Sequence, residues 1–280
     1  MRKGIAYKME NKQIITSRQN PFIKFVCGLS DKKKRAESGQ YRFDGIKLLY
    51  EAVDAGVDIC HVIYREDAEA RIHDVIRSMG ARAVAVSGDV FGKMTEEKSP
   101  EGVITVARMS ETLHRRVVSC DVGAAVDGRE RILMAEAIRD PGNLGTVIRS
   151  CYALGIDKLV LSSDCADLYN PKTIRAAMGA IFRLPTVTVD SSELSCAVKT
   201  LVEQGRNIYA AALHREARDI ATIQLRAGDC FVIGNEGHGL CDATVRACTH
   251  PVIIPMREGA ESLNASAAAA ICIWETVRAR

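Results

Sequence analysis

The stretch ILMAEAIRDPGNLGTVIRSCYAL, residues 132–154, decides the fold of the C-terminal half of the chain. It opens with an apolar run that predicts a buried strand over residues 132–137, and it turns at Pro141 and Gly142. The apolar residues after the turn recur at helical spacing: Leu144, Val147, Ile148, Cys151 and Leu154. A strand, a turn and a helix form the unit from which parallel sheets are built.

Apolar runs of strand length continue this rhythm towards the C-terminus, with helical spacing between them. They span residues 159–161, 187–189, 208–212, 231–234 and 252–254. The last segment, residues 263–277, predicts a helix with one apolar face. The fold class is therefore α/β, with a parallel sheet covered on both faces over residues 129–280.

The N-terminal half alternates more briefly between the two spacings. Helical spacing over residues 46–53 precedes a strand-like run over 59–64, and a second cycle ends with the strand-like run 103–107. These features predict a smaller α/β domain over residues 1–110. Residues 111–128 mix charges without a long period, so we predict a linker there.

Positive charge is concentrated at the N-terminus. Residues 1–35 carry ten Lys and Arg against Glu10 and Asp31, although the whole chain has a net charge of only +3. A basic arm on a mildly acidic body favours contact with nucleic acid, whose counterions such cations displace. For Lys32, Lys33, Lys34 and Arg35 alone, a solvated helix face is the alternative.

Composition excludes several other classes of protein. The ten cysteines contain no C-x-x-C pair, so we expect reduced thiols, no structural metal and a cytoplasmic protein. No apolar run approaches the length of a membrane-spanning helix, and we therefore expect no membrane association.

Three loops that follow predicted strands carry unusual chemistry, and ligands of α/β sheets bind at such strand ends. In the first loop, Asn143 lies at a helix start that favours anions, and Arg149 adds a forked cation. The alternative makes Asn143 an N-cap and Arg149 a surface residue.

The second loop, GNEGHGL over residues 234–240, places three glycines around Glu236. Glycines let a backbone approach a flat ligand closely, although a plain turn is the alternative. The spacing is not that of a dinucleotide fingerprint, and His238 has no second ligand at metal spacing. In the third loop, Ser262 is a natural cap for the final helix, whereas Asn264 is predicted in its first turn.

Three motifs in order resemble those of the SpoU, or TrmH-type, RNA methyltransferases. They are NLGTVIR at 143–149, GNEG at 234–237, and IPM at 254–256 followed by SLNAS at 262–266. SRQNPFIK at 17–24 is similar to that family's ribosomal-protein-like substrate-binding domain. The resemblance implies a trefoil-knotted C-terminal domain, a homodimer, and methyl transfer from S-adenosylmethionine to a ribose 2'-hydroxyl.

The resemblance also implies roles for individual residues. Those expected to hold the cofactor are Leu213, Gly234, Asn235, Gly237, Ile254, Met256 and Leu263. Those expected to act in catalysis are Arg149, Asn143, Glu236, Ser262 and Asn264. Those expected to contact RNA are Arg18, Lys24, Lys32, Lys33, Lys34 and Arg35. We favour a phosphate-binding role for Arg149, because a guanidinium is a poor base near neutrality, although the family also suggests activation of the hydroxyl.

The expected substrate is an accessible loop or bulge, because side chains must surround one nucleotide. The resemblance implies 23S ribosomal RNA, since family members that carry the added N-terminal domain are mostly rRNA enzymes. A transfer RNA methyltransferase and a non-catalytic RNA-binding protein of the same fold are the alternatives. A nicotinamide-dependent enzyme is disfavoured by the missing glycine fingerprint.

Overall fold

The computed structural model describes residues 14–235 and 237–278. The chain divides into two compact units, with the boundary between Arg108 and Met109. Each unit has its own sheet, of four strands in the first and eight in the second. Among the described residues, no helix is both long and apolar enough to cross a membrane.

In its described part, residues 14–108, the first unit is a four-stranded sheet with five short α-helices. The strands are β1 (Gln40–Asp44), β2 (Ile59–Arg65), β3 (Ala83–Val86) and β4 (Val103–Arg108), in the order β1-β4-β2-β3. Only β2 and β3 pair in parallel. The helices are α1 (Pro21–Gly28), α2 (Lys32–Ser38), α3 (Ile46–Asp54), α4 (His73–Met79) and α5 (Gly88–Met94).

Helix α1 begins where the sequence supplies a cap and a proline. The Asn20 side chain accepts a hydrogen bond from the backbone N–H of Phe22, and Pro21 occupies the first turn, where no backbone donor is needed. Ile23 and Val26 on α1 are fully buried with α5 and the sheet. The opposite side of α1 stays in solvent.

The second unit contains an eight-stranded, entirely parallel sheet. The strands are β5 (His114–Arg116), β6 (Ile132–Ala135), β7 (Lys158–Ser162), β8 (Thr186–Val189), β9 (Ile208–Ala211), β10 (Arg218–Asp219), β11 (Cys230–Ile233) and β12 (His250–Ile253). Their order is β10-β12-β9-β11-β6-β7-β8-β5, and every pair is parallel. All carboxyl ends therefore meet at one edge of the sheet.

Six α-helices accompany this sheet. They are α6 (Val122–Ala125), α7 (Pro141–Leu154), α8 (Pro171–Ala177), α9 (Leu194–Glu203), α10 (Asp242–Ala247) and α11 (Ala265–Arg278). Helix α7 packs against both α8 and α11. A Cβ at Gly145 would lie 2.5 Å from the Thr173 carbonyl oxygen, so glycine permits the close approach of α7 and α8.

The predicted strands and the α/β class with a parallel sheet are confirmed, with strand ends shifted by one or two residues. The trefoil knot stays a prediction. Residues 111–128 differ from the predicted linker: β5 pairs with β8, and Val122 and Ala125 of α6 join the core of the second unit. The mixed charges of that segment belong to an edge strand, whose solvent-facing side chains are polar.

Candidate active site

A cavity of about 810 Å³ opens at the carboxyl ends of the neighbouring strands β9, β11 and β12. This volume lies in the range of pockets for small molecules and cofactors. The structure places in its wall all the residues predicted to hold the cofactor: Leu213, Gly234, Asn235, Gly237, Ile254, Met256 and Leu263. Ser262 lies there as well. Their individual roles stay predictions.

The cavity leaves two leucines in its wall unusually accessible. Leu213 is 66% exposed and Leu263 is 36% exposed, although exposure of large apolar side chains disfavours the folded state. Leu213 follows β9 and Leu263 follows β12, and these neighbouring parallel strands end at the same edge of the sheet, where their last backbone N–H and C=O groups lie. An apolar, flat ligand with a polar rim would cover both leucines and use those backbone groups.

The loop after β11 is held by its own backbone. A Cβ at Gly234 would lie 2.3 Å from the Gly239 carbonyl carbon, so the loop can close only over a glycine. The Asn235 side chain donates to the Ala137 carbonyl oxygen (2.9 Å) and accepts from the backbone N–H of Gly237 (2.8 Å). Asn235 thus ties this loop to the end of β6, a structural task that accompanies its predicted contact with cofactor.

Glu136 is a supporting residue that the sequence analysis missed. It follows β6, its side chain is 8% exposed, and it accepts from the Cys241 backbone N–H (3.1 Å) and the Thr244 hydroxyl (3.2 Å). These bonds fix the start of α10 behind the cavity. A glutamate inside an apolar run is the signal that could have revealed it, because buried carboxylates need partners.

The start of α7 is joined to the start of α11. Nδ2 of Asn264 donates to Oδ1 of Asn143 over 3.0 Å, across 121 positions of sequence. The N-cap of α7 is Asp140, whose Oδ1 accepts from the Asn143 backbone N–H, so the alternative that made Asn143 the cap is wrong. A proline following an aspartate is the expected pattern of a capped start, and it was present in the sequence.

Lys172 on α8 also reaches this point. Its Nζ lies 2.9 Å from Oδ2 of Asp140, and this ion pair holds the pKa of the Asp140 carboxyl below its usual value. The hydrogen bond to Lys172 is the main cause, and the capping bond from Asn143 adds to it. Sequence spacing gave no signal for Lys172, because it contacts Asp140 only in the folded chain.

The final helix starts later than predicted. It begins at Ala265, and Oδ1 of Asn264 accepts from the backbone N–H of Ser266 (2.9 Å). Asn264 is therefore the capping residue, and the predictions that Ser262 caps this helix and that Asn264 lies in its first turn are wrong. The reason is that Asn264 can cap with its oxygen while its amide donates to Asn143. Ser262 faces the cavity instead.

Arg149 lies on α7, beyond the buried stripe of that helix, and its side chain is exposed. Within the described residues it forms no hydrogen bond or ion pair. The structure does not place it in the cavity wall, so it is available to a ligand that approaches α7 from solvent. Glu236, predicted to orient it, lies outside the described residues.

All but one of the cations predicted to contact RNA have exposed side chains. Lys24, Lys32 and Lys33 are exposed, Lys34 pairs with Glu37, and Arg18 pairs with Asp89. The exception is Arg35, which is 1% exposed and donates to the backbone carbonyl oxygens of Leu29 and Ser30 (2.8 and 2.7 Å). The prediction for Arg35 is wrong, because its guanidinium ties together the turn between α1 and α2. Residues 1–13 of the basic arm lie outside the described residues.

Comparison with known protein families gives two matches. Residues 130–274 match the SpoU rRNA Methylase family, and residues 20–105 match the MRM3-like substrate binding domain. The first match spans strands β6 to β12 and the three loops of the second unit. The second spans the sheet and helices of the first unit.

Two characterised relatives align over most of the chain. A 23S rRNA (guanosine(2553)-2'-O)-methyltransferase of Bacillus subtilis is 30% identical over 93% of this chain and 97% of its own. A 23S rRNA (uridine(2479)-2'-O)-methyltransferase of Streptomyces viridochromogenes is 30% identical, over 95% and 92%. The AdoMet-bound rRNA methyltransferase of Sinorhizobium meliloti is 26% identical, superposes with a TM-score of 0.80, and covers 95% of this chain and 97% of its own.

The protein is thus an RNA methyltransferase by class. It belongs to the SpoU rRNA methylase family. The predicted family and the predicted type of enzyme are confirmed.

Proposed function

We propose that this protein transfers the methyl group of S-adenosylmethionine to a ribose 2'-hydroxyl of 23S ribosomal RNA. The observation that carries the proposal is the Asn143–Asn264 bond, which brings the start of α7 to the segment that borders the cavity. The names of both aligned relatives specify 2'-O-methylation of 23S rRNA. The alternative of transfer RNA is tested below.

The cavity fits the cofactor by its chemistry. Its exposed Leu213 and Leu263 offer apolar surface to an adenine ring, and the strand ends at Gly234 and Ile254 offer backbone donors and acceptors. When bound, S-adenosylmethionine supplies an electrophilic methyl group. The task left to the protein is to orient a ribose hydroxyl beside that group and to assist the loss of its proton.

Arg149 is the residue that we assign to the RNA backbone. An exposed guanidinium with no ion pair to the described residues can bind a phosphate in a forked geometry, and this would hold the adjacent ribose. Asn143 and Asn264 fix the helix that carries Arg149, and Glu236 orients the cation. Ser262 contacts the ribose or the cofactor from the cavity wall.

We propose that the protein acts as a homodimer in the cytoplasm. Tyr152 on α7 is 47% exposed and Trp274 on α11 is 55% exposed, and these two helices pack side by side. Exposed aromatic residues on adjacent helices favour burial against a second copy.

The first unit, residues 1–108, serves as the RNA-capturing domain.

The test uses labelled S-adenosylmethionine with 23S rRNA, 16S rRNA and transfer RNA from cells that lack this gene. We expect label only in 23S rRNA, at a bond that resists alkaline cleavage because its 2'-hydroxyl is blocked. Label in transfer RNA would mean that the substrate is transfer RNA and not 23S rRNA. RNA binding without any methyl transfer, or binding of NAD in calorimetry, would overturn the proposed reaction.

A further inference from the structure

One aromatic side chain of the first unit has no role in its core. Phe25 on α1 is 39% exposed, whereas the other described aromatic side chains of this unit are buried or half-buried. Its neighbour Phe22 packs edge-on against His61, with ring centroids 4.9 Å apart. Phe25 therefore leaves more of its ring in solvent than the other described aromatic side chains of this unit, an exposure that disfavours the folded state.

Exposed lysines occur on the same helix as this ring and on the next one. Lys24 precedes it and is exposed, and Gly28 lies one helical turn later on the same face of α1. A Cβ at Gly28 would lie 3.8 Å from Cγ of Lys34, so the Lys34 side chain of α2 lies against the end of α1. Lys32 and Lys33 begin α2 and are exposed.

Carboxylates offset only some of the cations in this segment: Asp89 pairs with Arg18, and Glu37 pairs with Lys34. Residues 18–35 contain six Lys and Arg and a single acidic residue, Asp31. The Asp31 carboxylate is engaged at the start of α2, where it accepts from the backbone N–H groups of Lys33 and Lys34 (2.8 and 3.1 Å). Within the described residues, Lys24 and Lys33 form no ion pair. The surface thus joins free positive charge to an exposed ring.

We propose that Phe25 is a stacking platform for one unpaired RNA base, with Lys24, Lys32 and Lys33 contacting the flanking phosphates. Aromatic side chains stack on bases that are splayed out of single strands, and lysines follow the phosphate backbone. A base inside a duplex cannot offer its face to Phe25. The inference rests on RNA as the substrate, and it adds that the first unit captures a single-stranded segment.

The test measures binding of the full-length protein to a fluorescein-labelled, unstructured RNA of about twelve nucleotides by anisotropy, beside a blunt duplex of the same length. Phe25→Ala is expected to weaken single-strand binding about tenfold, since stacking contributes roughly 1–3 kcal/mol per base. Phe25→Trp is expected to bind as tightly as the wild type. Phe25→Leu is expected to match Phe25→Ala, because leucine is apolar but has no π-face.

Two matched variants separate stacking from charge and from general loss of apolar surface. Val53→Ala removes the other large exposed hydrophobic side chain described in this unit and should leave RNA affinity unchanged. Lys33→Gln should reduce the dependence of log affinity on log salt concentration by about one phosphate contact, whereas Phe25→Ala should not change that slope.

Several outcomes would overturn the inference. They are wild-type affinity in Phe25→Ala, wild-type affinity in Phe25→Leu, an equal loss for the duplex, or a change in oligomeric mass without a change in RNA affinity. Failure of the proposed enzyme reaction is a distinct result. A protein that transfers no methyl group but loses single-strand binding in Phe25→Ala would refute the reaction and retain the stacking platform.

Discussion

The two units build their functional surfaces in different ways. In the second unit, residues as distant as Asn143 and Asn264 meet because parallel strands end at one edge of a sheet. In the first unit, Lys24, Phe25 and Lys32 lie on two consecutive short helices. A cofactor site needs enclosing walls and therefore long-range contacts, whereas an RNA-capturing surface needs only exposed charge and rings. Substitutions in the second unit should therefore affect chemistry and folding together.

The largest effect is expected at Arg149. Arg149→Ala should lower the methyl-transfer rate at least about a hundredfold and leave affinity for S-adenosylmethionine unchanged, because the side chain lies outside the cavity wall. Single-turnover transfer and calorimetry measure the two quantities. Arg129→Ala is the control, since this exposed arginine precedes β6 at the amino edge of the sheet. Wild-type turnover in Arg149→Ala would remove it from the mechanism.

Gly234→Ala should produce the next largest effect. The added methyl group meets the backbone of Gly239 and Leu240 within 2.5 Å, so the loop must open and the cavity must change shape. We expect affinity for S-adenosylmethionine to fall at least about tenfold and stability by about 1–3 kcal/mol. Gly92→Ala in α5, where a Cβ meets nothing within 4 Å, serves as the control in calorimetry and denaturant unfolding. Unchanged cofactor affinity in Gly234→Ala would contradict this view of the cavity.

A pH measurement separates the units, because the single tryptophan, Trp274, belongs to the second. Burial lowers the pKa of His114 to about 4, and the ring bonds the Tyr169 hydroxyl (2.8 Å) and the Ile181 carbonyl oxygen (3.2 Å). Between pH 6.5 and about 4, His114 binds a proton in the unfolded chain but stays neutral in the folded chain. The contribution of His114 to stability, followed by Trp274 fluorescence, should therefore fall by about 3 kcal/mol between pH 7 and 4.

His114→Gln is the comparison for that slope. Glutamine does not titrate, so its unfolding free energy should vary less over the same pH range, whatever the substitution costs at pH 7. Equal pH slopes in the two proteins would show that His114 is not the titrating group.

The smallest effect is expected for the Asn143–Asn264 bond. Asn264→Asp keeps the oxygen that caps α11 and removes the donor to Asn143, while Asn143→Ala removes the acceptor. A double-mutant cycle in denaturant unfolding should give a coupling of about 0.5–1.5 kcal/mol, and methyl transfer should fall in both single variants. Additive effects would mean that the two asparagines act independently.

Much of the fold was predictable from local patterns. Apolar periodicity predicted the central strands, whereas Pro141 and Gly142, predicted as a turn, are the first two residues of α7. The sites depended on tertiary contacts that periodicity does not encode. Arg35 is the last of four consecutive cations in the sequence, yet it is buried and its guanidinium donates to a backbone carbonyl oxygen. Lys172 contacts Asp140 only because α8 packs against α7 in the folded chain.

Ser262 and Asn264 show, within one short segment, that the sequence pattern alone does not determine which residue takes which role. Both are good capping residues, and sequence alone does not decide which one starts the final helix. The choice follows from the partner of Asn264 across the fold, Asn143, which a pattern in the last twenty residues does not contain. The motif loops after β11 and β12, which line the cavity, were predictable together, because their motifs follow that of α7 in the order of the family.

A crystal structure of the protein with S-adenosylhomocysteine tests the central claim most directly. We predict that the adenine lies against Leu213 and Leu263, with the sulfur directed towards the start of α7 near Asn143. A nucleoside bound elsewhere, or a cavity that stays empty while calorimetry reports binding, would contradict the account.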